Sequence, residues 1–180
     1  ISCAHWDMAL SNGHLVYLIG NDDSHDVSDI TDIATRFTMI NADENEAEKI
    51  LSSLENGNTV GVDFPIIYDE TLEQKIKRLK KNLPHITQVE LKNDTLLVSA
   101  SKPISKIRFI GQEGKELKTQ KNIKTGTYAI QPEDNYVRCE LKFKDGTTLY
   151  LNPITRHENN EITKQRLDHI NYPKTIILWT

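Results

Sequence analysis

Val137-Arg138-Cys139-Glu140-Leu141-Lys142-Phe143-Lys144 alternates apolar and charged side chains without a break. Side chains of a β-strand point to opposite faces in turn, so this stretch predicts a strand with one face in a core and one in water. On that reading Arg138, Glu140, Lys142 and Lys144 face water. The same period of two runs through Val89 and Leu91, through Leu96, Val98 and Ala100, and through Ile107 and Phe109. Turn-forming residues recur at Asn93-Asp94, Gly111 to Gly114, Thr125-Gly126, Asp134-Asn135 and Asp145-Gly146. About seven short strands spaced this way predict an antiparallel β-sandwich of immunoglobulin-like type over residues 85–155. This region holds one cysteine and no tryptophan, so the expectation rests on pattern and not on a disulfide-and-tryptophan core.

Upstream the period changes. Residues 65–84 read as a connector, with Asp69 or Thr71 capping a helix that carries Leu72, Ile76 and Leu79 and ends at Leu83-Pro84. Residues 1–64 alternate helix and strand. A helix is predicted over Ala4 to Asn12, stopped by Gly13. Leu15-Val16-Tyr17-Leu18-Ile19 is apolar at successive positions, the signature of a buried parallel strand. Arg36 to Ile40 and Thr59 to Val62 read as further strands. Between them lies a helix opened by an Asp43/Glu46 capping box and stopped by Gly57. Strand–helix–strand order implies parallel pairing with right-handed crossovers. Two or three such strands bury too little surface to stand alone, so this α/β region reads as a fragment. Its complement would be an upstream segment, another chain or the rest of this one, with oligomerisation as a further possibility, and the chain reads as a piece of a longer protein. In the tail, residues 156–180, Glu161 to His169 reads as a short helix. Lys174-Thr175-Ile176-Ile177-Leu178-Trp179 reads as a final strand that adds to a sheet edge or packs across both domains.

The loop after Ile19, Gly20-Asn21-Asp22-Asp23-Ser24-His25-Asp26, crowds carboxylates and an imidazole at the carboxyl end of the expected strand, where α/β folds place ligands. Asp23 and His25 are two apart and can point the same way in an extended segment. Carboxylate oxygen with imidazole nitrogen suits zinc, manganese or iron. Asp22 would orient Asn21 or His25 beside such a metal. The plain alternative is a solvated acidic loop in which Asp26 or Ser28 caps a following helix, Asp26 and Asp29 serving as capping or macrodipole residues, with Ser28 to Ala34 a short helix or an irregular turn. His5 and Asp7 form a second His-x-Asp pair, but on a helix they face different ways and read as capping or packing residues. His14 and His85 read as surface residues, and His157 and His169 have no partners at metal spacing. Ser24 has no nucleophile elbow around it, so a catalytic triad is rejected.

His5-Trp6-Asp7-Met8-Ala9-Leu10-Ser11-Asn12-Gly13, followed by the apolar run and the Gly20-Asn21-Asp22-Asp23-Ser24-His25 loop, resembles the last part of the PHP (polymerase and histidinol phosphatase) superfamily of metal-dependent phosphoesterases. The resemblance covers about the first 65 residues. It implies the last units of a distorted β/α barrel and matches a late Asp-x-His ligand motif to Asp23 and His25. It also implies a multinuclear divalent metal centre that hydrolyses a phosphorylated small molecule through a metal-activated water. The family's His-x-His pair and remaining ligands are not in this chain, so the piece alone is expected to be inactive. A small β domain resembles the C-terminal addition of some PHP proteins, which makes the two regions consistent. The competing expectation is a non-catalytic interaction module built on the β-sandwich.

Composition bounds the rest. At 180 residues and 37% apolar, the chain holds one or two domains with a core. A net charge of −4 with interspersed signs, and no aromatic-plus-basic array, argue against nucleic acid. Lys77, Arg78, Lys80 and Lys81 read as a solvated helix face. No run approaches a membrane span, so the expectation is a soluble protein of undetermined compartment. Cys3 and Cys139 do not make a disulfide framework. Asn93-Asp94-Thr95 fits a glycosylation acceptor but is better explained as a hairpin turn.

Overall fold

Residues 137–142 of that alternation form a strand in the middle of a seven-stranded sheet, while Phe143 and Lys144 lie in the turn that follows. The computed structural model describes residues 2–26, 28–158 and 161–162. In chain order the elements are α1 (Cys3–Ser11), β1 (Arg36–Ile40), α2 (Ala47–Glu55), β2 (Thr59–Asp63), α3 (Leu72–Asn82), β3 (Ile86–Lys92), β4 (Thr95–Ile110), β5 (Glu116–Ala129), β6 (Tyr136–Lys142) and β7 (Thr148–Thr155). A two-residue ladder follows, β8 (His157–Glu158) with β9 (Glu161–Ile162). The strand order is β1-β2-β7-β6-β4-β3, with β5 also paired to β4. Every pairing is antiparallel. The architecture is mostly an antiparallel sheet with few helices, compatible with a β-sandwich. No helix among the described residues is long and apolar enough to cross a membrane.

β4 is what folds the sheet over. Its first half pairs with β3, its second half with β6, and β5 follows it along both halves. The register shifts between Ser99 and Ile104, around Pro103, which has no N–H to give to a ladder. The two halves then face each other. Phe109 in the second half stacks on Tyr128, the partner of Leu96 in the first, with ring centroids 5.5 Å apart. Gly126 lies opposite Val98, and a β-carbon there would come within 2.7 Å of Ile107 Cδ1. Thr125-Gly126 is therefore no turn but the interior of β5, and the glycine marks close packing. This corrects the expected strand count: residues 86–155 form five strands, two of them long. The other turn signals hold. Asn93 and Asp94 both have positive φ, 47° and 56°, as a two-residue hairpin turn of type I′ requires.

Four expectations for the first 64 residues are overturned. β1 and β2 are antiparallel, not parallel. α2 does not cross a sheet face; it closes on itself at the strand ends, where Asn41 N–H donates to Asn58 O and Ser53 Oγ donates to Asn41 O. The chain thus returns where it left and turns back on its neighbour. Leu15 to Ile19 is not a strand of the sheet. It lies over the sheet, with Val16 46% and Ile19 65% exposed, because its polar backbone is met by side chains and not by a neighbouring strand. Leu18 N–H donates to Asn152 Oδ1 and Gly20 N–H to Thr38 Oγ1. Glycines beneath make room: a β-carbon on Gly57 or Gly61 would strike Tyr17 or Leu18. Finally, Asp43 and Glu46 make no capping box, since Glu46 is itself the N-cap and lends no side-chain bond. β2 pairs with β7, so strands from the first 64 residues join the sheet of the alternating region.

In the connector, Thr71 caps α3 through a reciprocal box with Gln74. Glu161 and Ile162 pair as β9 where a helix was expected; the rest of that helix and the strand at 174–179 lie outside the described residues.

Candidate functional site

The acidic loop is built from its own carboxylates. Asp22 accepts the backbone N–H groups of Ala34 at 2.5 Å, Thr35 at 2.7 Å and Arg36 at 2.5 Å, and the Thr35 hydroxyl at 2.9 Å. Partial burial raises its pKa, but those hydrogen bonds outweigh burial and hold the carboxyl below the usual range. Asp22 thus fastens the loop to the start of β1. Asp26 accepts the N–H and hydroxyl of Ser28, and Asp29 does the same for Thr31. Those bonds shape turns, not a helix, over 28–34. Asp32 accepts the His25 N–H at 3.0 Å. Lys75, buried at the foot of α3, donates through Nζ to the carbonyls of Ile30 and Ile33 and ties the loop down from the other side.

Asp23 and His25 are the exceptions. Both are exposed. Asp23 adopts a positive φ of 55°, with its N–H on Asn21 Oδ1. Neither the Asp23 carboxylate nor the His25 ring has a hydrogen-bond or ion-pair partner among the described residues. Their chemistry suits zinc, manganese or iron, but two donors are too few: among the described residues no group of three or more His, Cys, Asp or Glu side chains could hold a metal.

A second cluster escaped the sequence reading. Arg138 and Glu140 do not face water: Arg138 is 2% exposed and Glu140 6%. α1 covers that face of β6 and brings Trp6, Asp7 and Leu10 onto it. Arg138 grips Asp7 with Nε to Oδ1 and Nη2 to Oδ2, and reaches Glu140 Oε1 with Nη1, each at 2.7 Å. Glu140 continues to Arg108 and Arg108 to Glu116, each at 2.8 Å. Tyr136 donates its hydroxyl to Asp7, and the Arg138 guanidinium lies 4.9 Å from the Trp6 ring. Burial pushes the Tyr136 phenol up to about 12. Signs alternate along the chain of charges and each member is paired, so the cluster reads as structure and not as catalysis. Charge spacing offered one clue: Arg108 sits directly opposite Glu140 in register. The Lys77-Arg78-Lys80-Lys81 cluster is also divided. Arg78 pairs with Glu70 and covers Phe64 at 4.1 Å, while the three lysines are exposed.

The third feature is a cleft of about 810 Å³ between β3 and the β1-β2-β7 end of the sheet. Met39, Val60 and Leu151 form one wall and His85 to Val89 the other, and asparagines 41, 56, 58 and 152 gather around it. Among the described residues no Asp, Glu, Lys or Arg lines it. Asn152 is committed, donating to Gly57 O and Thr59 Oγ1 at 2.9 Å while accepting Leu18 N–H. β3 pairs only with β4 among the described strands. Val89 and Leu91 lie opposite the buried Val98 and Leu96, so they share the core-facing side, yet they stay 50% and 51% exposed. Sequence reasoning placed His85 at the surface but could not assemble this cleft, whose walls come from separated segments. No family model matches the chain, and no curated protein or solved structure matches it.

Proposed function

We propose that this chain is the C-terminal portion of a PHP-like metal-dependent phosphoesterase, with Asp23 and His25 supplying two of several ligands to a divalent metal centre completed by residues outside it. One observation carries the reading. In a loop where Asp22, Asp26, Asp29 and Asp32 each accept backbone N–H groups, the exposed Asp23 carboxylate and His25 imidazole have no hydrogen-bond or ion-pair partner among the described residues. The substrate class is a phosphorylated small molecule, and the piece alone hydrolyses little. The barrel part of the reading does not draw on this chain's own strands, which pair antiparallel. The immunoglobulin-like character of the sheet belongs to the same proposal.

Mn²⁺ added to the isotope-labelled chain tests it through paramagnetic broadening. Amide signals of residues 21–26 should broaden first, and Asp23→Ala or His25→Ala should each abolish that selectivity. His25→Ala is the discriminating variant, since a merely acidic loop attracts the ion equally well without the imidazole. Broadening unchanged in that variant refutes the proposal.

The cleft favours a second reading, a non-catalytic interaction module. Among the described residues its lining offers amides, apolar side chains, the His85 imidazole and the outer edge of β3, a surface suited to an uncharged extended segment.

A further inference from the structure

We propose that α3 and the 65–70 loop before it form a surface that settles on an anionic lipid bilayer. The apolar stripe of this helix runs off the core. Leu72, Ile76, Leu79 and Leu83 recur at helical spacing and form one row. Leu79 and Leu83 pack against the main core, but Leu72 stays 47% exposed and Ile76 42%. Between those two in sequence, Lys75 is only 1% exposed, its ammonium bonded to the carbonyls of Ile30 and Ile33. A helix that buries a lysine and bares a leucine and an isoleucine presents them to something outside the fold. The loop enlarges the patch. Ile66, Ile67 and Tyr68 are consecutive and exposed. Arg78 of α3 donates to Pro65 O and pairs with Glu70, so the loop is held beside the helix.

Charge selects the partner. Lys77, Lys80 and Lys81 are exposed on the second half of the helix, and Lys102 of β4 joins them by donating to Asn82 O. Asp69 and Glu73 lie at the other end, where the helix N-terminus favours them. Ammonium groups next to exposed apolar side chains suit a lipid interface. The apolar row enters the headgroup boundary, the tyrosine sits at that level and the lysines meet the phosphates. The whole chain carries −4, so adsorption rests on this local reversal of sign. Neither Asp23 nor His25 belongs to the surface, and metal there is read separately by the manganese experiment.

The test is co-sedimentation of the 180-residue chain with sucrose-loaded vesicles of phosphatidylcholine, alone or with about one third phosphatidylserine. The chain should pellet with the anionic vesicles, stay in solution with the neutral ones, and be released by about 0.5 M salt. Lys77→Gln, Lys80→Gln and Lys81→Gln together should weaken binding roughly a hundred-fold, at about five-fold per charge. Leu72→Ser with Ile76→Ser should weaken it about ten-fold with the circular dichroism unchanged, because both side chains already meet water. Failure to pellet with the anionic vesicles overturns the proposal, as does binding that either variant leaves unchanged. So does full competition by soluble glycerophosphate, which makes the lysines a site for free phosphate. A dimer in sedimentation equilibrium that Leu72→Ser dissociates also overturns it, by giving the patch to a second copy of the chain.

Discussion

Arg138 holds Asp7 by two parallel hydrogen bonds of 2.7 Å, Nε to Oδ1 and Nη2 to Oδ2, across 131 residues of sequence. The pair is shut away from water, with side-chain exposures of 2% and 8%. Removing Asp7 leaves the buried Arg138 with Glu140 alone and its Nε and Nη2 donors unpaired, so Asp7→Ala should destabilise the chain by about 3–5 kcal/mol. Urea unfolding checks the value. Replacing Asp7, Arg138 and Glu140 together with apolar residues of similar size should cost far less than Asp7→Ala, since an uncompensated buried charge is the expensive state.

Asp22 makes stability depend on acid. Its carboxyl titrates below the ordinary value because the folded state donates hydrogen bonds to the charged form. The contribution is fully present above the unfolded pKa, about 3.9, and is lost as pH falls from there through the lower folded value. Asp22→Asn should flatten that part of the stability–pH curve measured by urea unfolding. At neutral pH Asp22→Ala should cost about 1.5–3 kcal/mol, with faster amide exchange at Ala34 to Arg36. An unchanged curve in the asparagine variant would show that the loop is held by something else.

Gly126 has no room for a methyl group. Alanine there would press on Ile107 Cδ1 at 2.7 Å and Cγ2 at 3.0 Å, a clash worth about 1–3 kcal/mol. Ile107→Val removes the nearer atom. The double variant should therefore be more stable than the sum of the single changes indicates, read as a thermal-denaturation cycle.

Asn152 is the peg under the 15–20 segment. Asn152→Ala leaves Leu18 N–H, Gly57 O and Thr59 Oγ1 without their partner, at about 1–3 kcal/mol. Hydrogen exchange should accelerate at Leu18 while the β6 amides stay protected. Equal acceleration in β6 would mean that the segment does not open on its own.

The alternation at 137–144 located β6, because a strand with one apolar row must bury it. It misjudged the opposite row: Arg138 and Glu140 look like solvent-facing residues until α1, more than a hundred positions away, lies on them. Gly126 was legible as a glycine but not as a packing contact, since nothing local reveals that Ile107 presses on it. The run Leu15 to Ile19 reads as a buried strand by hydropathy alone, whereas its bonds go to Asn152 and Thr38, partners that sequence spacing cannot reveal. Strand direction failed for β1 and β2 because a helical connection permits parallel pairing without compelling it. Asp23 and His25 stood out by residue type. That Asp22 braces the loop beside them depended on three amides a dozen residues downstream.

The link from Asp7 to Arg138 also sets an order of events during synthesis. The ribosome releases α1 long before the guanidinium that will claim its carboxylate has been made, so that helix cannot seat when it emerges. It must wait, solvated, until the sixth strand, 131 residues further along, has been translated.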